Sequence, residues 1–323
     1  MRASIVVACI YAVFTGYFAG TTLAADFPER SLRLVVPYPP GGGTDIVARA
    51  LGQKLAEAWK QNVVIDNRGG AGGNIGTELV ARAVPDGYTL LIVISSFAVN
   101  PSIYKQLPWD PVRDFAPISK VGSSAYILVV HPGVPARSVS ELIALARAKR
   151  DALSFVSSGI GSPLHLAGEL LNMRANINMV HVPYKGAGPA IIDLLAGQVQ
   201  VLFGSSVTML PLIGSGRLRA LATTSAQRLS AAPEIPTMAE AGVPDCEVDG
   251  WYGIVAPAGT PPDRIRKLSD QVAVILRTPE MRDRFAKDGR EAMGTTPEEF
   301  SRFLGAEIAK WAKVVRATGV KAE

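Results

Sequence analysis

The strongest constraint on this chain is a pattern: apolar strands end in glycine-rich turns that open directly onto helices. The run at 32–36 leads through Pro37-Tyr38-Pro39-Pro40-Gly41-Gly42-Gly43-Thr44-Asp45 into a segment whose Ile46, Val47, Leu51, Leu55 and Trp59 share one helical face. Further runs rich in β-branched residues recur at 63–66, 88–94, 127–130, 153–156, 179–182, 199–203 and 218–222. Most are uninterrupted rather than alternating, as strands covered on both faces must be. The segments 138–150, 162–174 and 188–197 read as helices, with Ser138 or Ser162 as caps and Pro163 or Pro189 at the first helical position. Strand and helix alternate, so the expected class is α/β with parallel sheets.

With 323 residues, 48% of them hydrophobic, the chain is long enough for about two compact lobes. Two stretches, 121–126 and 249–255, read as crossovers between lobes. They assign 26–123 plus 250–323 to the first lobe and 124–249 to the second, and two crossings make a hinge. Residues 1–25 read as a secretory signal: Arg2, an apolar stretch over 5–18, and small residues before cleavage near Ala24 or Ala25. The apolar stretch is shorter than a spanning helix needs, so an exported, soluble mature protein is expected. Cys9 faintly suggests a lipid-attachment site, but too little sequence precedes it. Without the signal, Cys246 is left alone as a buried thiol with no disulfide partner.

The formal charge is 33 − 28 = +5, or +4 once Arg2 is lost, and it is spread without a basic run. A nucleic-acid partner, which demands a concentrated patch, is therefore excluded. An anionic ligand is compatible with this charge.

The turn at 37–45 carries the first candidate site. Three glycines let backbone approach a bound group, and the first amides of the next helix lack internal partners, which together make an anion site. Its candidates are Tyr38, Pro40, Gly41, Gly42, Gly43, Thr44 and Asp45. Thr44 or Asp45 would cap the helix, and Asp45 reads as ordering the loop, since a carboxylate would oppose the anion. A second turn of the same kind contains Ser158, Gly159, Gly161 and Ser162 and lies in the other lobe. His165, on the first turn of its helix, suits packing as well as ligand contact. A third turn offers the ring and hydroxyl of Tyr184 and the amides of Gly186 and Ala187, while Lys185 is equally consistent with a solvated side chain. Ser95 and Ser96 end one strand and Ser205 and Ser206 another, where open α/β sheets bring side chains to a crevice. The segment 67–73 either supplies amides or is a flexible turn.

Enzymatic signatures are missing. There is no Gly-x-Gly-x-x-Gly, no Gly-Lys pair for a phosphate loop and no Gly-x-Ser-x-Gly elbow, and His131, His165 and His181 have no metal-ligand spacing. No catalytic residue, cofactor or metal is expected. An enzyme on the same scaffold is the least favoured reading.

These segments resemble the Bug-type extracytoplasmic solute receptors of tripartite tricarboxylate transporters over nearly the whole mature chain. The resemblance is carried by Pro40-Gly41-Gly42-Gly43-Thr44-Asp45, Gly70-Ala71-Gly72-Gly73-Asn74-Ile75-Gly76, Pro85-Asp86-Gly87-Tyr88-Thr89-Leu90, and Asn100-Pro101 with Tyr104 and Asp114-Phe115. Ser158-Gly159 with His165-Leu166-Ala167-Gly168-Glu169, Val182-Pro183-Tyr184-Lys185-Gly186 and Trp251-Tyr252-Gly253 complete it. The sequence departs at Gly69, where the family often has proline, and at Ser162, where threonine is frequent. The resemblance implies a type II periplasmic-binding fold that closes on its ligand, with one carboxylate held between 41–45 and 158–162, often through waters. It also implies a periplasmic receptor for a di- or tricarboxylate or aromatic acid, delivering to membrane permease subunits. A sensor serving a signalling kinase is the alternative partner, and a monomer is the default state.

Overall fold

The computed structural model describes residues 27–148, 153–184, 187–287 and 289–321. The signal segment, Cys9, Lys185 and Gly186 lie outside them. The first part of the chain forms β1 (Leu32–Val36), α1 (Gly43–Trp59), β2 (Val63–Asn67), α2 (Asn74–Ala81), β3 (Thr89–Ile94), α3 (Ser96–Ile103) and β4 (Phe115–Val130). The middle forms α4 (Val139–Ala148), β5 (Ser154–Ser157), α5 (Pro163–Ala175), β6 (Val180–Pro183), α6 (Ala187–Leu195), β7 (Val201–Ser205), α7 (Ser206–Gly214) and β8 (Arg219–Thr223). It ends with β9 (Asp249–Pro257), α8 (Pro262–Arg277), α9 (Pro279–Lys287), β10 (Arg290–Ala292) and α10 (Pro297–Thr318).

The strand order β2-β1-β3-β9-β4-β7-β5-β6 joins two sheets through one strand, β4. Residues 115–125 of β4 pair antiparallel with β9, and residues 126–130 pair with β7 and β8. The stretches read as crossovers lie on β4 and β9. The expectation of parallel sheets needs correction, because both sheets are mixed. β1 is parallel to β2 and β3, and β5 to β6 and β7, but β9 runs antiparallel to β3 and β4. The reason is topological. A strand that carries the chain from one sheet to the other, and another that returns it, run in opposite directions side by side. β4 is also longer than its sequence signal, because Pro117, Lys120 and Gly122 interrupt the apolar run that marks only 127–130. Its ladder absorbs them with register shifts near Pro117 and Lys120.

Helix starts follow local chemistry in part. Ser162 accepts from the His165 N–H, with Pro163 in the first turn, and Ser138 accepts from the Glu141 N–H at 3.2 Å. Pro189 is not first in its helix, since α6 already includes Ala187. At α10, Thr296 and Glu299 form a reciprocal capping box.

One buried cluster runs through both halves, joining Val93 and Phe97 to Phe155, Phe203, Trp251, Phe300 and Trp311. The α10 helix packs on α3, β4 and α5, so the C-terminus braces both sides of the crossover. Cys246 is buried, and burial pushes its thiol up to about 12. Native protein is expected to resist alkylation by iodoacetamide near neutral pH and to react once denatured, as intact mass would show. Rapid native labelling would contradict this packing. Among the described residues, no helix is long and apolar enough to cross a membrane.

Candidate functional site

The glycine-rich turns share one structural address. β1 and β3 are parallel neighbours, so 37–43 and Ser95-Ser96 leave the C-terminal edge of the same sheet. β5 lies between β6 and β7, so 158–162, Tyr184 and Ser205-Ser206 leave the C-terminal edge of the other. That edge is where a parallel α/β sheet presents loops and helix starts to a ligand.

The first turn is built around one carboxylate. Asp45, buried in the first turn of α1, accepts from Gly41 N–H at 2.9 Å, Arg49 Nε at 2.9 Å and Asn67 Nδ2 at 3.0 Å. Asn67 also donates to Tyr38 O at 3.1 Å, tying the end of β2 to the turn. The Arg49 hydrogen bond is the main reason that the Asp45 carboxyl is held below its usual range. Asp45 therefore orders the loop, and its oxygens are occupied by protein. The expectation of a side-chain cap is corrected, because the N-cap is Gly42 and no side chain caps α1. The first internal amide bond is Ile46 N to Gly42 O, which leaves the Gly43, Thr44 and Asp45 N–H groups without a helical acceptor. Pro40, Gly41 and Gly42 are exposed, Gly43 is half-buried and Thr44 is buried.

Tyr38 and the serines brace this turn. The Tyr38 hydroxyl is hydrogen-bonded to Ser96 Oγ and lies against Gly73, and burial raises its pKa to about 12. The segment 71–73 is a short 3-10 turn tied to α3, with Asn100 Nδ2 donating to Gly72 O at 3.3 Å. Ser95 is fully buried at the start of α3, and its hydroxyl has no hydrogen-bond partner among the described residues.

The second turn has fewer available donors than its composition suggests. Gly161 N–H is donated to His165 Nδ1 at 3.0 Å, Gly159 N–H to Ser157 Oγ at 3.1 Å and Ser162 N–H to Gly159 O at 3.1 Å. Among the described residues, the Ser158 and Ile160 N–H groups and the Ser158 hydroxyl keep no partner. Gly159 and Gly161, at φ +135° and +73°, hold conformations that side chains rarely adopt. His165 buttresses the turn: its ring stacks on His181 at 3.7 Å between centroids, and His181 Nε2 is 2.7 Å from Ser157 Oγ.

Burial, then the neighbouring His165, lowers the His181 pKa from 6.5 to about 3. The unfolded chain therefore takes up this proton first, and the His181 contribution to stability is present above 6.5 and lost as pH falls toward 3. The melting temperature is expected to drop across that window. His181→Asn is expected to flatten the dependence, and an unchanged pH profile would contradict the assignment.

Two further sequence candidates have hydroxyls hydrogen-bonded within the protein. Tyr184 Oη donates to Asp193 Oδ2 at 2.6 Å, which ties the residue to α6. Ser205 is the N-cap of α7, with its hydroxyl 2.9 Å from Thr208 Oγ1. Ala187 begins α6.

The two sheets meet around the turns. A methyl group added at Gly161 would lie 2.2 Å from Ile103 Cδ1, at the last residue of α3, whose first residue is Ser96. The helix between them spans about 11 Å at 1.5 Å per residue. Ser206 Oγ donates to Gly289 O at 3.0 Å across the same seam. A cavity of about 720 Å³ lined by Arg137, Ile213, Arg219, Glu234 and Glu240 shares no residue with these turns. The turns, with the uncapped start of α1 among them, are the better guide to the site.

Sequence reasoning missed Arg290 and Tyr252. Arg290 is 8% exposed, and its Nη2 lies 3.1 Å, and Tyr252 Oη 3.2 Å, from the point where a methyl on Gly43 would sit. No local pattern marks Arg290. Its position follows from the pairing of the three-residue β10 with β4, Arg290 opposite Ser124.

The geometry can be set beside known proteins. The model of the tripartite tricarboxylate transporter family receptor, TctC, matches residues 47–320. The R. palustris protein Rpa4515, solved with adipate, is 36% identical, covers 92% of this chain and 99% of its own, and superposes with a TM-score of 0.84. The periplasmic binding protein BugD is 35% identical, with 92% and 100% coverage and a TM-score of 0.81. MatC from R. palustris, solved with malate, is 31% identical, with 90% and 100% coverage and a TM-score of 0.78. The fold is thus the two-lobed type II periplasmic-binding fold, with β4 and β9 as the strands that join its lobes. A family match across most of the length and three close superpositions lead to one conclusion: the chain belongs to the tripartite tricarboxylate transporter family receptors.

Proposed function

We propose that the chain is an extracytoplasmic receptor that captures a small carboxylate between its lobes and hands it to the membrane subunits of a tripartite tricarboxylate-type transporter. The observation that carries this reading is the open start of α1, where Gly42 caps without a side chain and the Gly43, Thr44 and Asp45 amides lack helical acceptors. The Ser158 hydroxyl and the Ser158 and Ile160 amides are the donors that the second turn adds. Adipate and malate in the solved relatives support a carboxylate as the ligand class. Lobe 1 comprises 26–123 with 250–323, and lobe 2 comprises 124–249. The ligand favours the closed form because only there does it meet both turns. The protein binds without turnover, and its first 25 residues direct it to the periplasm.

Calorimetry against adipate, malate, aromatic acids and the matching amides tests this directly. At least one acid is expected to bind and to be recovered unchanged. Failure of every acid, or conversion of a bound one, would overturn the reading. Gly42→Trp provides the site test, since among the described residues beyond its chain neighbours a methyl there meets just Pro39 O, at 3.9 Å. The variant is expected to melt like the parent and to bind at least about tenfold more weakly. Gly159 is a poorer probe, because any side chain at φ +135° adds backbone strain.

A further inference from the structure

A backbone N–H can only donate, so the 3.0 Å bond from Gly161 to His165 Nδ1 fixes the state of the ring as well as its place. The nitrogen that accepts carries no proton. The single ring proton therefore sits on Nε2, which faces Glu169 Oε1 at 3.5 Å. His165 is neutral for as long as the second turn keeps this shape. The residue is 4% exposed, and a second bond ties it to the same turn, from its own N–H to Ser162 Oγ at 3.3 Å.

We propose that His165 is a positioning residue for the ligand: its neutral ring shapes the second turn for a carboxylate, so that binding in acid solution is coupled to loss of a proton from His165. This deepens the receptor reading above and rests on it. Gly161 N–H belongs to the peptide next to the one that carries the Ile160 N–H, so its bond to Nδ1 restrains the turn beside a donor that the ligand uses. A proton added at Nδ1 sets two N–H groups against each other, and ring and turn must part. Attraction between an imidazolium and the bound carboxylate acts the other way. Glu169 decides between the two effects, because a carboxylate 3.5 Å from Nε2 cancels most of the ring charge that a ligand would feel. A buried amide that loses its acceptor shifts an equilibrium by about tenfold or more. Affinity is therefore highest with His165 neutral and falls as pH falls. Among the described residues, the ionisable groups that face the ring are Glu169 on the same helix and His181 on β6, while β5 brings the uncharged Phe155. Burial and His165 push His181 down to about 3, so His181 stays neutral through the pH range of the test.

The test is calorimetry of the mature protein with adipate, malate and benzoate between about pH 8 and about pH 5, the range in which an imidazole ordinarily takes up a proton. In His165→Asn the Oδ1 falls where Nδ1 sits and accepts from Gly161 without titrating. This variant is expected to bind within about threefold of the wild type at the upper pH. Between the two ends the wild type is expected to lose about tenfold more affinity than His165→Asn, the ionisation of the acid being common to both. His165→Phe keeps a ring beside His181 but offers no acceptor, and is expected to bind about tenfold more weakly at the upper pH. Ring-nitrogen NMR of the wild type, which has 3 histidines, gives a reading that needs no variant. Saturation with the acid at the lower pH is expected to return one imidazolium to a neutral ring with a bare Nδ1. The same pH profile in wild type and His165→Asn, undiminished binding by His165→Phe, or no change of ring protonation on saturation overturns the proposal and leaves the receptor reading intact. If no acid binds the wild type, both fall.

Discussion

Replacing Glu307 with leucine is expected to lower the unfolding free energy by about 2–6 kcal/mol, from two buried indole N–H groups losing their acceptor at about 1–3 kcal/mol each. Glu307 is 6% exposed, and its Oε2 accepts from Trp251 Nε1 and Trp311 Nε1, both at 3.0 Å. Trp251 belongs to β9 and Trp311 to α10, and both are buried. One carboxylate therefore fastens the last helix to a strand that joins the lobes. Lys310 Nζ, at 3.7 Å from Oε1, offsets part of its charge. Glu307→Gln retains an acceptor oxygen and is expected to cost less than half as much. Urea denaturation of the two variants gives the comparison. Equal stability of Glu307→Leu and the parent would show that the indoles find other partners and that the carboxylate does not tie helix to strand.

The second large effect is expected at Asp45. Alanine there removes the acceptor for Gly41 N–H and for Asn67 and Arg49, with an expected stability loss of about 1–3 kcal/mol. The effect on ligand affinity is expected to be larger, about tenfold or more, because Gly41 at φ +83° is held in place by that carboxylate and the neighbouring amides turn with it. Asp45→Asn keeps the shape and one acceptor oxygen and is expected to fall between. The low carboxyl pKa adds a pH signature. The folded value lies below the unfolded one, so the Asp45 contribution is present above the ordinary carboxylate range and is lost as pH falls from there through the lower folded value. Parallel measurement of melting temperature and ligand affinity separates the two roles. Normal affinity in a folded Asp45→Ala protein would mean that the turn holds its shape without this anchor.

Much of the site was legible locally. The turn at 37–45 announced itself because glycine after an apolar strand and before an amphipathic helix leaves few alternatives to a strand-to-helix loop, and α1 begins at Gly43 as that chemistry directs. The restraint on Asp45 was legible too, since a carboxylate in the first turn of a helix opposes a bound anion. The donor state of the second turn was not. That Gly159 and Gly161 spend their amides on Ser157 and His165 depends on rotamers and on a ring stacked against His181, sixteen positions further along the sequence.

The sequence by itself determined where strands pass to helices, because backbone amides, glycine freedom and apolar periodicity are local properties that act within one or two turns of chain. It did not determine strand direction at the joining strands, since parallel and antiparallel neighbours bury similar apolar runs and only the path of the whole chain selects between them. Nor did it place Arg290 beside Gly43. Those two residues are 247 positions apart, and a three-residue strand pairing brings them together through contacts that no local pattern encodes.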